Sequence, residues 1–213
     1  MFYLYLCICC VLSYLCGGVN AAIIMARLCH GEDIREKGSG NPGFTNYKRV
    51  YGNGFVTWLV LILDILKTVV PVLASGLVLE AFFPGTRQFV FALTGLCCML
   101  GHCFPVWYRF RGGKAFIACF ATVMLVDWKC GLVFLCLFLT LLFTVKYMSL
   151  CSCCAAFSYH LSYAALSLAL GGFDWRILVA AILSATLVIL RHYPNFVRLR
   201  AGQETKFSLF GKT

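Results

Sequence analysis

The first 26 residues, MFYLYLCICCVLSYLCGGVNAAIIMA (1–26), carry no charged side chain, and that decides the class of protein. About 20 apolar residues are enough to cross a hydrocarbon core about 30 Å thick. In that core a backbone amide finds partners only inside a helix or a closed barrel. A second uncharged run, 147–173, meets the same condition. The rest of the chain agrees: of 213 residues, 62% are hydrophobic and 12% charged, against roughly 25% charged in soluble domains, and the mean hydropathy is +0.88. A cleavable signal peptide is the competing reading of 1–26, but no Lys or Arg precedes the apolar run and it is too long for a signal's apolar region. Most of the 14 cysteines lie in apolar runs, where a thiol acts as a small hydrophobe, so no disulfide framework is expected.

Working outward, charges and turn residues divide the chain into seven apolar segments: 2–26, 55–82, 88–106, 115–126, 130–145, 148–170 and 176–190. The fourth is only about 18 Å long at about 1.5 Å per residue, so it is expected to extend into the flanking GGK or DWK. Seven alternating crossings place 27–54, 107–114, 146–147 and the tail from 191 on one side of the membrane. That side holds 14 of the 18 Lys and Arg, Lys212 among them; Arg87, Lys129 and Arg176 lie opposite, and Lys67 lies within a span. Such asymmetry marks the cytoplasmic face. The expected fold is therefore an all-α integral membrane protein of seven transmembrane helices, one domain over 1–213, with the N-terminus outside and the C-terminus cytoplasmic. The net charge of +10 is explained by a face lying against anionic lipid, and no nucleic-acid partner is expected.

The same alternation gathers three polar islands on the cation-rich side: GSGNPGFTNYKRVYGNG (38–54), GHCFPVWYRFRGGK (101–114) and RHYPNFVRLRAGQETK (191–206). Each pairs Lys or Arg with Gly or Asn. Glycine lets a backbone approach a ligand closely, and successive N–H groups in a turn make an anion-binding concavity. Ser39, Asn41, Thr45 and Asn46 add hydrogen-bonding capacity that orientation in a membrane does not need. A phosphate site is the natural reading; interfacial loops that merely anchor helices are the plainer one.

SGNPGFTNYKR, GHCFPVWYRFRGGK and RHYPNFVRLRAGQETK resemble, in order and spacing, the three signature motifs of the bacterial acyl-phosphate:glycerol-3-phosphate acyltransferases, the PlsY family. LDILK (63–67) is similar to that family's Leu-Asp-x-x-Lys, and the resemblance covers essentially the whole chain. It implies a multi-pass bacterial inner-membrane enzyme with its site facing the cytoplasm. Such an enzyme moves a fatty acyl group from acyl phosphate to the sn-1 hydroxyl of glycerol 3-phosphate, giving lysophosphatidic acid and phosphate. No cofactor or metal is implied. The implied partners are the two substrates, membrane lipid and the soluble enzyme that produces acyl phosphate.

Acyl phosphate is a mixed anhydride with a good leaving group, so the work consists of holding two anions together and stabilising the developing oxyanion. The resemblance implies that Arg49 and Lys114 grip phosphate, one as a fork and one as a point charge. Gly40, Asn41, Thr45, Asn46, His102, Gly112, Gly113 and Arg198 are implied to bind substrate. Ser39, His192 and Asn195 are the implied catalytic group, Ser39 as a phosphate donor and Asn195 as a donor to the oxyanion. His192 either takes the hydroxyl proton or binds phosphate, or the substrate phosphate takes that proton itself. Ser39 and His192 can also be read as a nucleophile and base; the analogy favours direct attack by the substrate hydroxyl. His192 and Asn195 share a face if the last span continues that far, which Pro194 opposes. Glu204 reads as a scaffold paired with a cation, His30 and His160 as structural, and Asp64 with Lys67 as a costly intramembrane pair that is either structural or turned to the site.

Two departures stand out. Where the family usually continues Gly-x-Ala-Thr after the motif lysine, this chain has Ala115, Phe116, Ile117 and Ala118, and Phe44 stands where the family usually has a small Ala. Other classes fit less well. Thioester-dependent acyltransferases carry His-x-x-x-x-Asp, which none of the four histidines here provides. CSCC (151–154) has no companion pair at metal-ligand spacing. A transporter of an organic anion or phosphate ester, the main alternative, would be expected to have paired repeats and polar residues through both halves of the membrane.

Overall fold

The computed structural model describes residues 1–207, which form ten α-helices and, among the described residues, no strand. They are α1 (Phe2–Gly18), α2 (Ala21–His30), α3 (Phe44–Tyr51), α4 (Phe55–Phe82), α5 (Arg87–Cys103), α6 (Phe116–Val126), α7 (Trp128–Thr144), α8 (Met148–Leu170), α9 (Trp175–Arg191) and α10 (Tyr193–Arg200). Short 3₁₀ turns lie at Ile34–Glu36 and Val106–Tyr108. Lys212 lies outside the described residues.

The bundle is organised around α5, which packs on α1, α4, α6 and α9. Against α1 the two backbones touch: a Cβ on Gly101 would sit 2.0 Å from the Tyr14 carbonyl oxygen, and one on Gly17 would sit 2.1 Å from that of Cys98. Small residues permit this approach where no hydrophobic difference between lipid and protein drives helices together. Large apolar side chains such as Leu4, Ile62, Leu161 and Leu183 lie exposed on the outer faces, as a lipid-facing surface requires.

By length and composition, four helical stretches are able to cross a membrane: Phe2–His30 taken across its break, Phe55–Phe82, Arg87–Tyr108 and Met148–Leu170. The pair α9–α10, bent by 47°, makes a fifth. Helices α6 and α7, of 11 and 17 residues, are apolar but shorter.

Several expected boundaries move, each for a local reason. The single helix expected over 2–26 is two. Val19 and Asn20 are extended, the Asn20 Oδ1 caps α2 by accepting from the Ile23 N–H at 3.0 Å, and the Val19 carbonyl, freed by the break, accepts from Lys67 Nζ at 3.0 Å. The expected extension of the fourth segment does not occur. Asp127 turns extended and caps α7 through the Lys129 N–H at 2.9 Å, so α6 stops after 11 residues. α5 ends at Cys103, before Pro105, and α9 ends at Arg191, with Pro194 in the first turn of α10.

Candidate active site

The loop between α2 and α3 folds back on its own helix. Asn46, at the start of α3, is buried. Its Oδ1 accepts from the Ser39 N–H at 2.8 Å, and its Nδ2 donates to the carbonyls of Lys37 at 3.0 Å and Ile34 at 3.3 Å. Gly38 is required there, since it has φ +57° and a Cβ would lie 2.4 Å from Asn46 Oδ1. Asp33 ties the base of the loop to Arg35 and Arg27, and the guanidinium of Arg35 holds its carboxyl well below the usual range. Arg35 also donates to the Tyr108 carbonyl at 3.2 Å, joining the start of this loop to the second island.

In the second island the two glycines serve packing. The Gly112 N–H donates to the Cys103 carbonyl at 3.2 Å and the Gly113 N–H to that of His102 at 3.0 Å. Both amides, expected to face an anion, are therefore turned inward. A Cβ would lie 2.1 Å from the His102 carbonyl oxygen at Gly112 and 2.2 Å from His102 Nε2 at Gly113. Arg191 of the third island completes the clamp: its Nη2 donates to the Gly112 carbonyl at 2.8 Å, its Nε to that of Gly113 at 2.9 Å, and its guanidinium lies over Phe104. Sequence reasoning counted Arg191 only as a cation; its place at the head of RHYPN was the available signal.

From this clamped turn Lys114 reaches into the third island and donates to Asn195 Oδ1. Asn195 Nδ2 donates onward to Glu204 Oε1 at 2.6 Å, which Ser149 also approaches at 3.1 Å, while Arg198 Nε reaches Glu204 Oε2 at 3.0 Å. Burial pushes the Lys114 ammonium down to about 8, against the pull of the Glu204 carboxylate. Burial also works to raise the Glu204 carboxyl, but hydrogen bonds from Asn195, Arg198 and Ser149 outweigh it and leave that group below its ordinary value. Arg49 donates to Thr205 Oγ1 at 3.0 Å, and its Nε is buried without a partner. Such a donor carries the cost of lost water and is suited to an arriving anion.

His192 sits at the bend between α9 and α10, buried, with Nδ1 2.8 Å from the Val188 carbonyl oxygen. A carbonyl only accepts, so Nδ1 carries the proton and Nε2 of the neutral ring is bare. The bend that Pro194 introduces still leaves both His192 and Asn195 on the cavity wall. In α4, Asp64 and Lys67 pair with each other at 2.8 Å. His30 stacks on Tyr51 and His160 lies against Phe157.

These elements enclose two adjoining cavities of about 470 and 360 Å³. The larger is lined by polar side chains, among them Thr45, Asn46, Arg49, His102, His192 and Glu204, and by apolar ones that include Trp58, Leu61, Phe138 and Leu142. Gly40, Gly112, Arg191 and Arg198 line the smaller. Ser39, Asn41, Lys114 and Asn195 line both. All three islands thus meet, and of the expected site residues Gly113 alone lines neither wall, being packed on His102.

A sequence profile described as "Glycerol-3-phosphate acyltransferase" matches residues 7–202. The chain belongs to the glycerol-3-phosphate acyltransferase family. A member from Francisella tularensis subsp. mediasiatica is 32% identical over 92% of this chain and 90% of its own, and one from Photobacterium profundum is 30% identical over 91% and 89%. Among solved structures, the glycerol 3-phosphate form of PlsY, an integral membrane glycerol 3-phosphate acyltransferase, superposes with a TM-score of 0.82 at 33% identity, covering 97% of this chain and 99% of that one. Its lysophosphatidic acid form gives 0.79 at 32% identity. The chain is thus a PlsY-family protein over nearly its whole length.

Proposed function

We propose that this protein transfers a fatty acyl group from acyl phosphate to the sn-1 hydroxyl of glycerol 3-phosphate, releasing lysophosphatidic acid and phosphate. The observation that carries the reading is the larger cavity, in which Arg49 and Lys114 from two islands meet His192, Asn195 and Glu204 from the third, beside apolar side chains such as Trp58 and Phe138, with Arg198 lining the adjoining smaller cavity. One reactant is a small soluble anion and the other an anion with a hydrocarbon tail, and a cavity lined by both polar and apolar side chains suits the pair. Family membership supports the acyltransferase activity and the glycerol 3-phosphate acceptor.

In the proposed reaction Arg49, Lys114 and Arg198 offset the repulsion between the two phosphates. The acceptor hydroxyl oxygen bonds to the acyl carbon, and the bond from that carbon to the phosphate oxygen breaks, its electron pair leaving with phosphate. The hydroxyl proton passes to the bare Nε2 of His192. Ser39 acts as a phosphate donor and Asn195, with one N–H engaged by Glu204, offers the other to the oxyanion. Seven crossings, with α6 and α7 counted, put the three islands, 14 of 18 cations and the C-terminus on the cytoplasmic side of a bacterial inner membrane, within reach of a soluble enzyme that makes acyl phosphate.

Purified protein given palmitoyl phosphate and glycerol 3-phosphate is expected to form lysophosphatidic acid, with acyl-CoA a poor donor. No product, under conditions in which a Francisella relative turns over, would remove the reading. Retained activity in Ser39→Ala would exclude an obligatory acyl-serine.

A further inference from the structure

The larger cavity is lined by two histidines whose hidden edges are held by groups of opposite kind. His192 meets a carbonyl, as described above. His102 meets an ammonium: Lys67 Nζ lies 2.8 Å from His102 Nδ1, 2.8 Å from Asp64 Oδ1 and 3.0 Å from the Val19 carbonyl oxygen. An ammonium has three N–H groups and accepts nothing; here it hydrogen-bonds to His102 Nδ1 and the Val19 carbonyl and is ion-paired with Asp64. The Nδ1 of His102 is therefore bare, the neutral ring carries its proton on Nε2, and a second proton on Nδ1 would point at the ammonium. With Nδ1 taken, Nε2 is the ring nitrogen left; it packs beside Gly113, the residue before Lys114, and the His102 side chain lines the larger cavity.

We propose that Lys67 is a positioning residue for acyl transfer: by occupying Nδ1 of His102 it makes that histidine an obligate Nε2–H donor to the site, in a cavity also lined by His192, whose Nε2 accepts. The inference rests on the proposed reaction and adds a division of labour within it. His102 gives a hydrogen bond to a substrate phosphate or carbonyl oxygen and keeps its proton; His192 receives the proton that moves. It also gives the break in the first long apolar stretch a role, because the carbonyl that the break frees at Val19 is the second hydrogen-bond acceptor of the ammonium.

Two charge-neutral double variants separate this role from a structural ion pair. Replacing both members of a buried pair is close to neutral for stability, whereas removing one is not. Asp64→Asn with Lys67→Gln leaves an N–H donor for Nδ1 of His102, and turnover is expected within about threefold of the parent. Asp64→Leu with Lys67→Met leaves none, and kcat is expected to fall about 10- to 100-fold, the usual range for a group that orients another, with KM for glycerol 3-phosphate little changed. Equal turnover in the two would overturn the proposal. The independent readout is imidazole ¹⁵N NMR of the protein in nanodiscs. His102 is expected as the Nε2–H tautomer and His192 as the Nδ1–H tautomer in the unaltered protein, with His102 becoming a mixture in the Leu/Met variant. A proton on His102 Nδ1 in the unaltered protein, or no change in the variant, would also overturn it. The spectra remain decisive if the Leu/Met protein fails to fold or if the unaltered protein makes no lysophosphatidic acid; the latter result would instead defeat the acyl-transfer reading.

Discussion

The turn before α6 and the segment after α10 both border the larger cavity, and they are held in different ways. In the turn, residues 112 and 113 have both amides and both carbonyls bonded, by Cys103, His102 and Arg191, and a Cβ on either would collide with His102. The later segment is held at its tips: Glu204 by Asn195, Ser149 and Arg198, Thr205 by Arg49, and the Phe207 N–H by the Lys146 carbonyl at 2.7 Å. Gly202, which precedes them, donates its N–H to the Leu199 carbonyl at 3.1 Å but, among the described residues, has nothing within 4 Å of its absent Cβ. One half fixes Lys114 in space, and the other presents a carboxylate and a hydroxyl to cations that the proposed reaction needs for phosphate.

The sharpest way to break this contrast is to remove a cation from the rigid half and a contact from the pliant one. Lys114→Ala is expected to lower kcat/KM by about 100-fold or more, as loss of a charged transition-state contact does. Thr205→Val, which only releases Arg49, is expected to change it by less than about threefold. Steady-state rates with palmitoyl phosphate check both, and equal losses would show that the two halves are not differently built. At the glycines, Gly113→Ala must displace His102 or the turn itself, with an expected tenfold or greater loss of turnover and a lower Tm. For Gly202→Ala the described residues leave the left-handed backbone at φ +70° as the opposing factor, about 1–2 kcal/mol, and the variant is expected to keep its turnover.

A smaller effect comes from pH. Lys114, held at about 8 chiefly by burial, is charged below that pH and loses its charge as pH rises through it. KM for glycerol 3-phosphate is therefore expected to rise above pH about 8 in the parent. In Lys114→Arg, whose guanidinium keeps its charge, that rise is expected to be absent, whatever the absolute rate.

The helices were legible because apolar runs and charged interruptions are properties of sequence alone, and the three islands were legible because their residue types recur together at family spacing. The break at Val19 and Asn20 was not, although Gly17, Gly18 and Asn20 hinted at it. What makes it tolerable in lipid is the ammonium of Lys67, 48 residues away, and no local pattern reveals that. The glycines of the second island were identified as necessary, but for presenting N–H groups. Their need comes from His102 in the same island and from Arg191, distant in the chain, and only the packed structure tells an amide turned outward from one turned in.

Ala115 offers the finest test of the rigid half. It adopts φ 56° and ψ 20° immediately before α6, the left-handed region, in which a Cβ crowds the following carbonyl at about 1–2 kcal/mol. The sequence departs from its family's usual glycine at this position, and the backbone here keeps the shape that a glycine adopts freely. Ala115 is buried and lines the larger cavity, so the methyl group is held in place by neighbours instead of being relieved. Ala115→Gly should remove the strain but lose the methyl's packing and gain unfolded-chain entropy. The two nearly cancel, and the expected change in Tm is within a few degrees, with turnover within about twofold. A large loss of stability would mean that the methyl group is a needed part of the cavity wall. A large gain in turnover would mean that the strained residue restrains Lys114 more than catalysis requires.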